Sequence, residues 1–129
     1  MTDIEEIRQI VADVEQGFNT NDAELMNRHF TADAAVVNAV GVRIVGREAL
    51  LAASEAGLAG PLRDQYARYE LRDVTFLRPD VALAHKEAFA ITEDGSPIDL
   101  DHAMNALYVL VKEDGRWWVA ARQHTLVSR

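Results

Sequence analysis

An α+β domain, with three helices in its N-terminal half covering one face of a mainly antiparallel sheet, is the fold class this sequence predicts. Three observations carry that expectation. Apolar residues recur at spacings of three and four through the first eighteen positions, and residues 47–59 are rich in Ala, Leu and Glu. Beyond Pro61 the chain turns into long β-prone runs separated by turn signals. Helices followed by a run of strands segregate onto one face of a sheet, because each element has a single apolar side to bury. At 129 residues the chain fits one domain spanning 1–129, a length that supports a single core.

The first helix is read from Ile4, Ile7, Val11, Val14 and Phe18, the stripe of an amphipathic helix. Thr2 followed by Glu5 forms its capping box. After Asn19-Thr20-Asn21-Asp22 breaks the pattern, Asn21 with Glu24 starts a shorter helix to about Phe30, with Leu25, Met26, His29 and Phe30 on its inner face. Two short runs, Ala35–Val40 and Val42–Val45, flank Gly41 as a hairpin. Arg47 to Ala59 contains no β-branched residue and is the third helix, ended by Gly60-Pro61.

The second half is an antiparallel meander of three or four strands. Its turns are Arg78-Pro79-Asp80, Asp94-Gly95-Ser96-Pro97 and Glu113-Asp114-Gly115, the last flanked by Leu107–Val111 and Trp117–Val119. From Val81, the large series Val81, Leu83, His85, Glu87 and Phe89 alternates with the small residues Ala82, Ala84, Ala88 and Ala90, broken by Lys86. The large series is assigned to the helix side. The small series then leaves the other face flat enough for a second copy of the chain, which predicts a homodimer. By the same alternation Trp117, Val119, Ala121, Gln123 and Thr125 share the pocket side, and Trp118, Arg122 and His124 the opposite one.

Composition excludes several function classes. The formal charge of −8 repels phosphate backbones and anionic headgroups, so neither nucleic acid nor membrane is an expected partner. No apolar run approaches the ~20 residues of a bilayer span, and the acidic opening MTDIEEIRQI resembles no signal or transit peptide; a cytoplasmic location is the expectation. The chain has no cysteine, which removes thiol nucleophiles and thiolate ligands. No two histidines stand at chelating spacing and no glycine-rich phosphate loop is present, so neither a metal nor a nucleotide or flavin cofactor is expected. The acids Glu93, Asp94, Asp99 and Asp101 read as a solvated turn.

The stretches Phe18-Asn19-Thr20-Asn21-Asp22, Phe30-Thr31-Ala32-Asp33-Ala34, Asn38 with Gly41, and Gly46-Arg47-Glu48, in this order of elements, resemble the nuclear-transport-factor-like superfamily. That superfamily includes SnoaL-like cyclases, ketosteroid isomerases, scytalone dehydratase and limonene epoxide hydrolase. Val37-Asn38, Val45-Gly46-Arg47, Leu71–Val74, Phe76–Ala82 and the segment from Trp117 to Thr125 look like the SgcJ/EcaC family associated with polyketide and enediyne gene clusters. The resemblance implies a cone-shaped fold whose curved sheet and covering helices enclose a pocket, and commonly a homodimer. It implies no single reaction.

Ketosteroid isomerase, by that resemblance, places a tyrosine donor where Val14 stands and an aspartate base where Asn38 stands. Valine cannot stabilise an oxyanion and an amide cannot take a proton from carbon, so that reaction is not expected. Asn38 is either a pocket amide or a turn asparagine satisfying backbone groups. Of the histidines at 29, 85, 102 and 124, His29 and His85 are candidates to face each other, and His29, His85 and Glu87 form the candidate acid–base set. Each histidine has the alternative of a hydrogen-bonded core residue. Val14, Phe18, Asn38, Tyr69, Trp117 and Gln123 are the candidate ligand contacts, Trp117 as a flat wall or as ordinary core. The predicted function is a pocket that binds or transforms a small apolar metabolite such as a polyketide or polyene. A cofactor-free isomerase, cyclase, dehydratase or epoxide hydrolase, and a dimerisation module without a ligand, are the alternatives.

Overall fold

A computed structural model describes residues 1–99 and 102–128. Asp101 of the acidic turn and the side chain of His102 lie outside the described residues. The element order is α1 (Asp3–Asn19), α2 (Ala23–Asn27), β1 (Phe30–Val37), β2 (Arg43–Val45), α3 (Arg47–Ala59), β3 (Tyr66–Arg78), β4 (Val81–Ile91), β5 (His102–Glu113) and β6 (Arg116–Ser128). Three helices pack against a curved, mainly antiparallel sheet, giving the cone-shaped α+β fold that the element order predicted.

Helix α1 starts on the predicted capping box: Thr2 Oγ1 accepts from Glu5 N at 3.2 Å, and Glu5 Oε2 accepts from Thr2 N at 2.9 Å. Ile7, Ile10, Val11 and Val14 form its buried stripe. Helix α2 is capped by Asp22, whose Oδ1 accepts from Leu25 N at 3.1 Å. Asn21, the predicted cap, instead turns the chain with a φ of 55°, a left-handed conformation that asparagine tolerates. The helix also stops three residues short of Phe30, because Phe30 already pairs with Val119 as the first residue of β1. Buried Asn27 ties α2 to α3, its Nδ2 donating to Ala23 O at 2.8 Å and Ser54 Oγ at 3.0 Å.

Strands β3 to β6 form the predicted meander within the order β2-β1-β6-β5-β4-β3. Strand β1 adds to it in parallel, alongside β6, with Val36 opposite Arg122. Its edge strand β3 is stitched to the last turns of α1: Asn19 Nδ2 donates to Ala67 O at 2.9 Å, Ala67 N donates to Asn19 Oδ1 at 2.8 Å, and Tyr69 N donates to Glu15 Oε2 at 2.6 Å. These side chains satisfy the unpaired backbone of a sheet edge and hold the sheet curled under the helix. At the other end of α1, Glu6 accepts from Trp117 N at 2.8 Å, while Asp3 accepts from Trp117 Nε1 and Lys112 Nζ, both at 2.9 Å.

The side of β4 that faces the helices is the reverse of the one assigned from the sequence. Ala82, Ala84 and Lys86 are buried, and Ala82 and Ala84 join Ile7, Ile10, Phe30, Tyr108, Leu110 and Trp117 in the core. Val81, Leu83, His85 and Glu87 therefore point to the open face of the sheet. Small side chains suffice at this position, since the bulk of the core comes from Ile7, Ile10 and the neighbouring strands. The flat small-residue face proposed for a partner copy is thus the core face.

A second reversal occurs on β6. Trp117 and Val119 are buried, but the register with β5 shifts between Val109↔Ala121 and Leu110↔Val119, leaving Ala120 as an extra residue. A bulge of one residue turns every later side chain over. Arg122 lies opposite buried Tyr108 and His124 opposite buried Ala106, so both face the helices, whereas Gln123 lies opposite half-exposed Leu107 on the outer face.

Candidate functional site

The concave face of the sheet has two unlike halves. Under the first turns of α1 it is apolar, with Trp117, Leu110, Phe76 and Val119, and Phe76 meets Trp117 edge-on at 5.8 Å between ring centroids. Under the last turns of α1 it becomes polar, because β3, β4, β5 and β6 deliver Tyr69, Lys86, Tyr108, Arg122 and His124 to one side of the sheet. Tyr69 pairs with Ala88, Leu71 with Lys86, Lys86 with Ala106, and Tyr108 with Arg122. These residues are neighbours on adjacent strands, where strand spacing is about 4.8 Å.

Lys86 is 1% exposed. Its Nζ donates to Tyr108 Oη at 3.2 Å and stands 3.4 Å above the ring centroid of Tyr69 and 5.3 Å from that of Tyr108. One hydrogen bond and an aromatic face replace the water that a lysine normally keeps. Arg122 places its guanidinium carbon 5.2 Å from the ring centroid of Phe30 and 5.9 Å from that of Tyr108. Two nitrogens in this cluster, Arg122 Nε and His124 Nε2, are buried and have no hydrogen-bond partner among the described residues. A buried polar atom without a partner costs ~1–3 kcal/mol, so the cluster is retained against a stability cost.

Its titration behaviour follows from low dielectric and adjacent charge. Burial drives the Lys86 ammonium toward the neutral amine, and Arg122 adds to that, opposed by Tyr108 and Glu15. Burial alone would raise the Tyr108 phenol, but Lys86 and Arg122 outweigh it and pull Tyr108 below its ordinary value. Tyr69 is raised, chiefly by burial. His124 is pushed down to about 2 by burial and then by Arg122 and Lys86, which leaves a neutral imidazole at physiological pH. The arrangement combines a guanidinium, a lysine whose charge burial disfavours, a phenol held below its ordinary value and a neutral imidazole within an apolar wall.

The expected site residues divide between this cluster and places remote from it. Tyr69 belongs to the cluster, and Val14 and Phe18 are one turn apart on α1, Val14 being buried. Trp117 is 0% exposed, both its N–H groups being taken by Glu6 and Asp3. It stands four strand positions from the level of Tyr108, roughly 13 Å along β5. Asn38 closes the β1–β2 turn, its Oδ1 accepting from Val40 N at 3.1 Å and Val42 N at 3.0 Å. Gln123 is exposed on the outer face.

His29 and His85 are not brought together. His29 Nε2 meets Asp13 Oδ2 at 2.6 Å and its Nδ1 meets Arg116 at 3.1 Å, a chain outside the cone. Against the upward push of burial, the hydrogen bonds of His29 and Gln9 hold the Asp13 carboxyl below its usual range. His85 lies on the outer sheet face, 3.4 Å from Asn105 and 3.9 Å from Asp73, and Glu87 beside it pairs with Arg72 at 2.8 Å. Lys86, Tyr108, Arg122 and His124 were not among the expected site residues. The legible signal was Lys86, a lone charge in an alanine series. An open depression of about 480 Å³ lined by Thr2, Asp3, Ile4, Phe76 and Pro79 lies at the opposite, apolar end and carries none of these groups.

Residues 1–123 match the model of the SnoaL-like domain. No curated protein sequence is significantly similar to the chain. Among solved structures, a cystatin-like domain of unknown function from Nostoc punctiforme superposes with a TM-score of 0.86 at 20% identity, over 97% of this chain and 78% of that one. A protein of unknown function from Mycobacterium tuberculosis gives 0.76 at 25% identity over 96% and 71% of the two chains. A ketosteroid isomerase-like protein from Erwinia carotovora atroseptica gives 0.76 at 17% identity over 97% and 96%. Likeness at these identities concerns the fold.

Proposed function

The chain belongs to the SnoaL-like domain family, and from that premise we propose that it is a small-molecule pocket protein. It holds an apolar metabolite between α1 and the sheet, with the polar end of that molecule at Lys86, Tyr108 and Arg122. One observation carries the proposal: a lysine 1% exposed, hydrogen-bonded to Tyr108 and stacked on Tyr69 on the helix-facing side of the sheet. Strongly perturbed, buried titratable groups cluster at functional sites. Val14, Phe18 and Tyr69 are the proposed walls. The narrower likeness to the SgcJ/EcaC family supports a polyketide or polyene as the class of ligand. In a nitrogen-15 labelled sample, a polyene or anthraquinone ligand shifts the amides of Tyr69, Lys86, Tyr108 and Arg122. A panel of such ligands that moves none of these amides at millimolar concentration refutes the proposal.

A second reading, turnover without a cofactor, draws on the pull that Lys86 and Arg122 exert on Tyr108. Tyr108 Oη then takes or returns a proton at the ligand, with neutral His124 on the same sheet face as a second exchanging group. Under this reading Tyr108→Phe binds ligand and loses turnover.

The outer sheet face supports the proposed pairing of two copies through different residues from those first assigned. Leu83, Leu107 and Val109 lie there, Leu107 being 48% exposed. Wild-type protein is expected to scatter light as a dimer and Leu107→Glu as a monomer; monomeric wild-type protein at high concentration contradicts the pairing.

A further inference from the structure

Resting on the pocket reading, we propose that the inner end of the cone is an oxyanion site, in which Lys86, Arg122 and His124 take the carboxylate of an apolar or aromatic acid.

The polar groups of the cluster, element by element, are Glu15 of α1, Tyr69 of β3, Lys86 of β4, Tyr108 of β5, and Arg122 and His124 of β6. Glu15 is the one carboxylate among them, and its Oε2 already accepts from Tyr69 N at 2.6 Å. Among the described residues, the Arg122 guanidinium and the Lys86 nitrogen therefore face one committed carboxylate. The tyrosines are neutral unless a phenol ionises. Donors, too, exceed acceptors: an ammonium has three N–H groups and a guanidinium five, and Lys86 uses one of its three on Tyr108.

Two of the unused nitrogens come from neighbouring inward positions of β6. Arg122 Nε and His124 Nε2 belong to residues two apart on one strand face, so both side chains project toward the helices from adjacent inward positions, roughly 6.5–7 Å apart at the backbone. With the proton on Nε2, His124 is a donor, and the pair offers one N–H to each oxygen of a carboxylate. Guanidinium matches that planar acceptor particularly well. A neutral alcohol or ketone would satisfy one of these donors and leave the excess positive charge uncompensated. The downward pull of Lys86 and Arg122 on Tyr108 reports the same local field, which favours any oxygen that carries negative charge.

Matched ligands test the inference with unmodified protein. 2-Naphthoate and 2-naphthamide have the same aromatic body and differ in the charge of the polar end. The expected result is at least tenfold tighter binding of naphthoate at pH 7, with shifts of the Arg122 Nε and His124 side-chain nitrogen signals. In Arg122→Leu and Lys86→Met the preference for naphthoate over naphthamide falls at least tenfold. Equal affinities for the two ligands in wild-type protein overturn the oxyanion site and leave the pocket standing. Naphthoate binding that leaves the Arg122 and His124 nitrogens unmoved also overturns it, and failure of both ligands to bind anywhere in the cone overturns the pocket reading with it. The wild-type comparison decides the matter even where a variant fails to fold.

Discussion

Burying His124 beside Arg122 and Lys86 ties the stability of the protein to pH. Its folded value of about 2 lies below the ordinary 6.5, so below pH 6.5 the unfolded chain takes up a proton that the folded one refuses. Stability falls where the unfolded state binds more protons, by at most about 1.4 kcal/mol per pH unit for one group. The contribution is intact above pH 6.5 and is lost progressively as pH falls toward 2. Asp3 and Asp13, both held below 3.8, add losses of the same sign only near and below that value. In urea titrations between pH 6.5 and 4.5, the difference between wild-type and His124→Gln slopes reads the share of the imidazole, and His124→Gln flattens the slope. Superimposable wild-type and His124→Gln profiles would exclude a buried neutral His124. Lys86 makes a complementary prediction. Replacing a buried cation by an apolar residue of similar length is commonly neutral or stabilising, so Lys86→Met is expected to keep or raise stability by about 1 kcal/mol while weakening binding of naphthoate. A loss of several kcal/mol would mean that the lysine holds the fold together.

Among the elements, the edge strand β3 depends on side chains of α1 for its first pairings. Asn19→Ala removes both hydrogen bonds to Ala67 and is expected to cost about 1–3 kcal/mol. Amide exchange at Ala67 and Tyr69 speeds up while β5 and β6 stay protected; unchanged exchange at both amides would show that the clip is incidental. The meander, the capping box and the third helix were legible because they rest on local signals: turn residues, a cap and a periodicity. The facing of β4 was not, since large residues were assigned inward and the core obtains its bulk from Ile7, Ile10 and Trp117 over a floor of alanines. The site was hidden by one residue. Strict alternation sends Gln123 inward and Arg122 outward, and the bulge at Ala120 exchanges them. Nothing local in Val-Ala-Ala-Arg marks that bulge, and the parallel pairing of β1 with β6 arises only when distant segments meet. Asn38, left open between pocket and turn, has its carboxamide oxygen committed to the turn.

The whole molecule carries a net charge of −8 around a cluster in which the Arg122 guanidinium and the donors of Lys86 and His124 outnumber one committed carboxylate. Long-range and local electrostatics therefore act in opposite directions on an acidic ligand. During approach the ligand feels the overall negative field, which slows encounter and is screened as the Debye length falls from about 30 Å at 0.01 M salt to about 8 Å at 0.15 M. Once inside, it faces Lys86 and Arg122 across a few ångströms of protein, where salt penetrates little. The association rate of 2-naphthoate is accordingly expected to rise several-fold over that range, its dissociation rate to change little, and the rate for 2-naphthamide to stay flat. An anion held by exposed arginines at the surface behaves in the opposite way, because screening weakens the contact itself. Stopped-flow binding at two ionic strengths separates the two cases. Naphthoate affinity that falls with salt would place the carboxylate at the surface and empty the buried cluster of its proposed role.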